Sequence, residues 1–216
     1  VTHAIEKDGL QQQTVILLDD DDTPTVSLTV GSETINEDNG TTTTTQVTAT
    51  LTAVAGRDIT VFLGKSGTAR ERDDYTLSDS ILIPANVLSA SVTLSSLPDT
   101  LDEADVETVI IDIVSVTNAI EFGTQQRTVA IRDNDDPPSV TMVVEVKDTL
   151  IGEEGGIAIV KFILNFTSAR EITVALKKTG TAIENTDYKL VDTVKIPAGS
   201  PQASATLTGL SDLLDE

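Results

Sequence analysis

The stretch Ile131-Arg132-Asp133-Asn134-Asp135-Asp136-Pro137-Pro138 decides how this chain is read. It closes a run of alternating β-forming residues, Gln126 to Ile131. It then sets three carboxylates and an amide in a row and stops at two prolines. Neighbouring carboxylates repel one another unless a cation sits among them, and the prolines restrict the chain that follows. A near copy stands at Leu18-Asp19-Asp20-Asp21-Asp22-Thr23-Pro24, preceded by Gln13-Thr14-Val15-Ile16-Leu17, which matches Arg127-Thr128-Val129-Ala130-Ile131. Each copy is expected to close one β-domain, open the next and supply oxygen ligands for calcium at the joint.

Working outward, the same repeat orders the rest of the chain. Between Pro24 and Asp136, period-2 alternation predicts roughly seven strands, with Val26 and Leu28, Val47, Ala49 and Leu51, and Ile59, Val61 and Leu63 facing inward. Val109 to Val116 is the most apolar run and is expected to be central. After Pro138 the elements recur: Gly180-Thr181-Ala182 and Asp187-Tyr188 repeat Gly67-Thr68-Ala69 and Asp74-Tyr75, and Ile196-Pro197-Ala198-Gly199 repeats Ile83-Pro84-Ala85-Asn86. A position holding Asn in one copy and Gly in the other predicts a left-handed turn. No stretch has a convincing helical period. The expected architecture is all-β, with tandem immunoglobulin-like antiparallel β-sandwiches. Residues 1–22 are expected to close a preceding repeat, 23–136 to form a complete sandwich, and 137–216 to form a second one, truncated before its last two strands.

Composition narrows the function. Asp and Glu number 35 against 14 Lys and Arg, for a net charge of −21, which excludes non-specific nucleic-acid binding and argues against anionic membranes. No apolar run is long enough to insert into a membrane. Cysteine is absent and His3 is the single histidine, so thiolate and typical zinc sites are not expected. Paired carboxylates would suit glycoside hydrolysis, but with no Trp and two Tyr an aromatic substrate cleft is not expected. The chain is read as non-enzymatic.

The acids of the first unit fall at a few places: Glu37, Asp74, the Asp99–Glu107 loop, and Asp133, Asn134, Asp135 and Asp136. Alternate loops of a sandwich gather at one end, so these can meet. Six to eight oxygen ligands are what Ca²⁺ takes, whereas Mg²⁺ demands a stricter octahedron.

Glu37 with Gly40-Thr41, Gly67-Thr68-Ala69 with Asp74-Tyr75, Ile83-Pro84-Ala85, Asp99 with Glu103 and Glu107, and Asp133-Asn134-Asp135 together resemble the Calx-beta family. The resemblance implies ligands at Glu37, Asp74, Asp99, Glu103, Glu107, Asp133 and Asp135, with Glu153, Asp187, Asp212 and Glu216 in the second unit. Asn134 stands where an acid is common. The segment to Glu107 looks one residue longer than usual, which leaves Asp105 or Glu107 as the ligand.

The expected function is a calcium-stiffened structural repeat of a large extracellular or cell-surface protein, such as an adhesin or matrix filament. Its partners would be neighbouring repeats of the same polypeptide, with homotypic or cell-surface contacts. The alternative is a calcium-sensing regulatory domain pair like that of sodium/calcium exchangers.

Overall fold

The computed structural model describes residues 2–4, 12–38, 40–146 and 150–211. The first group of strands is β1 (Thr25–Val30), β2 (Thr34–Asp38), β3 (Thr41–Thr42), β4 (Thr44–Leu51), β5 (Ile59–Gly67), β6 (Tyr75–Thr76), β7 (Ser80–Ile83), β8 (Ser89–Ser96), β9 (Glu107–Thr117), β10 (Ile120–Glu121) and β11 (Gln126–Arg132). The surplus over seven consists mainly of the two-residue pieces β3, β6 and β10. They form two sheets, ordered β10-β1-β4-β8-β6 and β3-β2-β11-β9-β5-β7.

The alternation places its apolar residues where expected. Val26, Leu28, Val47, Ala49, Ile59, Val61, Val109 and Ile111 are all fully buried between the sheets. Each such Val, Leu or Ile contributes about 1.5–3 kcal/mol by leaving water. β9 lies between β11 and β5, the central place foreseen for it. A bulge there, where Phe62 faces Ser115 but Leu63 faces Ile113, turns Val114 out to solvent.

Among the described strands, pairing is antiparallel except in two places. β1 pairs with β10 in parallel, and β2 with β11 in parallel. The chain leaves β1 at Val30 and crosses to the other sheet before β2 begins at Thr34. That crossing lets β2 run alongside the last strand in the same direction. With Ile35 opposite Ile131 and Asn36 opposite Arg132, Glu37 arrives beside Asp133 at one end of the sandwich.

The second group is β12 (Val140–Val146), β13 (Ile157–Leu164), β14 (Ile172–Ala175), β15 (Tyr188–Lys189), β16 (Thr193–Ile196) and β17 (Gln202–Gly209). Its sheets run β12-β13-β17-β15 and β14-β16, repeating β1-β4-β8-β6 and β5-β7. Asn86 and Gly199 both take a left-handed backbone, φ 63° and 72°. The cores differ in size. Among the described residues, the first gathers twenty buried side chains and the second Val160, Phe162, Leu164, Val194, Ile196 and Ala205. Met142 and Val144, on β12, are 60% and 52% exposed.

Amide protection should follow that difference. In hydrogen–deuterium exchange, β4 and β9 are expected to exchange more slowly than β13 and β17. Equal protection in the two groups would contradict this account of the cores.

Candidate metal centre

The site is assembled by three local devices. At Gly67 the chain passes so close to β9 that a Cβ would lie 2.1 Å from the Thr108 carbonyl oxygen, and φ is +119°. Only glycine fits there. Thr68 and Ala69 then donate their backbone N–H groups to that carbonyl at 3.0 and 3.1 Å. A tight turn follows, in which Asp74 N–H bonds the Arg70 carbonyl and Asp74 Oδ2 accepts the Arg70 N–H at 2.5 Å. This turn fixes the Asp74 carboxylate, which is only 4% exposed.

The second device is the acidic loop. Asp99 Oδ1 accepts the Leu101 N–H at 2.7 Å, bending the loop back on itself. Glu103 donates its N–H to Asp133 Oδ2 at 2.9 Å. The third is the stretch after β11, where Asp133 Oδ1 accepts the Asp135 N–H at 3.0 Å. Asp133 therefore ties the loop to the chain leaving the sandwich.

Asp74, Glu103 and Glu107 each bring a carboxylate oxygen within 4.8 Å of one another. Glu37 is close enough to feel the charges of Asp74 and Glu103; it is 3% exposed, with its Oε1 buried and without a hydrogen-bond partner among the described residues. Burial, and then the charges of Asp99, Glu103, Asp74 and Asp133, push the Glu37 carboxyl up to about 8. Burial and the same kind of crowding raise Glu103 to about 7. Glu107 also rises to about 7, through burial first and then a hydrogen bond and charge repulsion from Asp74. An all-oxygen donor set in which burial first, and neighbouring negative charge second, favour the protonated forms of Glu37, Glu103 and Glu107 fits a hard divalent cation. Glu37, Asp74, Glu103 and Glu107 would hold it, with Asp99 and Asp133 close enough to add charge. Bound there, calcium would supply the positive charge that the cluster lacks.

The remaining expected ligands are placed differently. Asp105 turns away from the cluster; its side chain is 88% exposed and pairs with Arg170. Glu107, at the start of β9, takes the place beside Asp74. Asn134, Asp135 and Asp136 line a small recess with Thr100 and Phe166. In the second group, Asp187 repeats the geometry of Asp74: its Oδ2 accepts the Ile183 N–H at 2.6 Å, and its Oδ1 is buried without a partner among the described residues. Glu153 is exposed and lines the same cleft as Asp187. Asp212 and Glu216 fall outside the described residues.

Two arrangements carry no signal in the alternation. Lys65 is nearly buried and joins Glu71, Asp79 (2.6 Å) and the Leu77 carbonyl (3.1 Å). Lys178 does the same with Glu184, Asp192 (2.7 Å) and the Leu190 carbonyl (3.1 Å). Superposing the two copies of the repeat would have revealed both. The other is Asp102, 5% exposed, which leaves the cluster to contact the second group at Ser168, itself 1% exposed.

No family model matches the chain, and no curated protein matches it. Among solved structures, it is similar to CBD12 from CALX1.2 at 18% identity and a TM-score of 0.39, over 82% of this chain and 72% of that one. The calcium binding domain CBD12 of CALX1.1 gives 18% identity and a TM-score of 0.39, over 83% and 73%. The class 5 fimbriae chaperone CfaA gives 9% identity and a TM-score of 0.35, over 88% and 95%.

The raised carboxyl groups set a pH dependence. Their folded pKa values exceed the unfolded ones, so the folded chain holds more protons between about pH 4.5 and 8, and stability falls as pH rises through that window. In chelator the melting temperature of the first sandwich is expected to drop from pH 5 toward pH 8. At neutral pH, calcium uptake should release about two protons, read by calorimetry in buffers of different ionisation enthalpy. Uptake with no proton release would contradict the crowding of these carboxyls.

Proposed function

We propose that this chain is a non-enzymatic calcium-binding module in which ion occupancy at the end of the first sandwich governs its junction with the second. The observation that supports it is the two-faced loop Asp99–Glu107. On one face, Glu103 and Glu107 join the carboxylate cluster. On the other, the Asp102 carbonyl accepts the Ala169 N–H at 2.9 Å and the Ser168 hydroxyl at 3.1 Å. The Arg170 guanidinium contacts the Glu103 carbonyl, the Asp105 carboxylate and, at 3.9 Å, the Asp102 carboxylate. Glu103 thus offers its side chain to the ion and its backbone to the neighbouring unit.

Repulsion among the carboxylates pushes this loop outward, and neutralising them lets it close. The junction is polar, and its Arg170–Asp105 pair is exposed, so water screens it and it contributes little. That exposed pair can yield to a modest shift of the loop while the buried Asp102–Ser168 contact stays in place, which favours adjustment of the junction over a permanently rigid one. The regulatory reading is therefore preferred. The stiffened extracellular filament is the second reading, supported by Pro137 and Pro138, which restrict the linker.

Small-angle scattering of the whole chain, in calcium and in chelator, tests the proposal. A change in shape that follows occupancy is expected, with Arg170→Ala abolishing the change while altering calcium affinity by no more than about tenfold. A shape that ignores calcium, with only the melting temperature rising, would favour the filament reading. A chain that binds no calcium would sink both.

A further inference from the structure

Lys65 stands on β5 at the inward position after Leu63, opposite the fully buried Ile111 of β9. Its side chain is 11% exposed. The ammonium takes its partners from the segment that follows β5: the Glu71 carboxylate, the Leu77 carbonyl at 3.1 Å and the Asp79 carboxylate at 2.6 Å. Three donors meet three acceptors. One acceptor, Glu71, belongs to the turn Arg70–Asp74, which carries the Asp74 carboxylate to the cluster. That turn is not relaxed. Arg72 has φ 77°, a left-handed backbone that a residue with a Cβ adopts at a cost. Backbone bonds close the turn, from Asp74 N–H to the Arg70 carbonyl and from Arg72 N–H to the Tyr75 carbonyl at 2.8 Å. Lys65 ties the closed turn back to β5.

The second group builds the same device on a different turn. Ile183, Asn185 and Thr186 stand where the first unit has Arg70, Arg72 and Asp73. Glu71, Asp74, Lys65 and Asp79 nevertheless return as Glu184, Asp187, Lys178 and Asp192. Lys178 bonds the Glu184 carboxylate, the Leu190 carbonyl at 3.1 Å and Asp192 at 2.7 Å. The left-handed residue recurs too, as Asn185 with φ 65°. A clamp that persists while the rest of the turn changes is tied to what the turn presents. In both copies that is an aspartate whose Oδ2 accepts the N–H of the turn's first residue, Arg70 or Ile183.

We propose that Lys65 is a positioning residue for the cation: by holding Glu71 it fixes the strained turn in the shape that presents Asp74 to Glu103 and Glu107. A turn ordered in advance spares the ion the entropy of ordering it. The role assigned to Lys65 rests on calcium binding by the first sandwich. Its sign separates it from a field effect. An ammonium near the site repels a cation, so removing its charge would by itself tighten calcium binding. Loss of positioning weakens it instead.

Hydrogen–deuterium exchange of the full chain along a calcium titration at pH 7 tests this, because residues 99–107 report occupancy of the first sandwich. Lys65→Met is expected to weaken that occupancy by about 10- to 100-fold, the usual cost of losing a residue that orients a metal ligand. In chelator the amides of residues 70–74 should exchange faster in the variant, while β9 keeps its protection. Unchanged or tighter calcium binding in Lys65→Met would overturn the proposal and leave the calcium-binding reading intact. So would weaker binding with residues 70–74 as protected as before. If Lys65→Met loses the protection of β9, Glu71→Gln decides by the same two readouts, since it cuts the tie to the turn and leaves Lys65 its bonds to Leu77 and Asp79. Residues 99–107 that ignore calcium in the unaltered chain would overturn both the positioning role and the calcium-binding reading.

Discussion

The structure turns on the convergence of like charges. Glu37, Asp74, Glu103 and Glu107 come together at one end of a β-sandwich, with Asp99 and Asp133 adding to the field. No described lysine or arginine forms an ion pair with Glu37, Asp74, Glu103 or Glu107. Arg70 eases Glu103 and Glu107 only as the smallest of the contributions acting on them. The fold therefore holds these groups where they cannot all ionise without help. Protons relieve the repulsion at low pH, and a divalent cation would do so at neutral pH.

What brings the acids together is backbone topology. The parallel pairing of β2 and β11 carries Glu37 to Asp133, and the close pass at Gly67 sets Asp74 opposite the start of β9. The same end of the sandwich is where the second group docks, through Asp102, Ser168 and Arg170. Charge balance and inter-unit contact thus share one loop. In the function proposed above, that shared loop would couple ion occupancy to the junction.

Much of this was legible in sequence. Alternation located the buried faces because a half-buried sheet must obey period two, and the Asn86/Gly199 pair marked a left-handed turn because few other residues tolerate one. The repeat singled out the acids at Glu37, Asp74 and Glu103 by their places in the two copies, whereas Glu107 rested on the family resemblance, with Asp105 as its alternative. Partner choice was not legible. Asp102, Asp105 and Glu107 look alike in a charged loop, yet one binds Ser168, one pairs with Arg170 and one joins the cluster. Only the loop's path distinguishes them, and hydrogen bonds from backbone groups, which carry no sequence signature, set that path. The half-buried Lys65 and Lys178 escaped for a similar reason: an apolar pattern records which positions are inside, but not a lysine whose tip finds three acceptors. The parallel strands were missed because pairing direction depends on the crossing between sheets at Val30–Thr34.

The most direct measurement is a crystal structure grown in millimolar calcium. The account predicts an ion bound by oxygens of Asp74, Glu103 and Glu107 at about 2.3–2.6 Å, with Glu37 turned toward it. Carboxylates that instead keep sharing protons, with no ion among them at neutral pH, would contradict it.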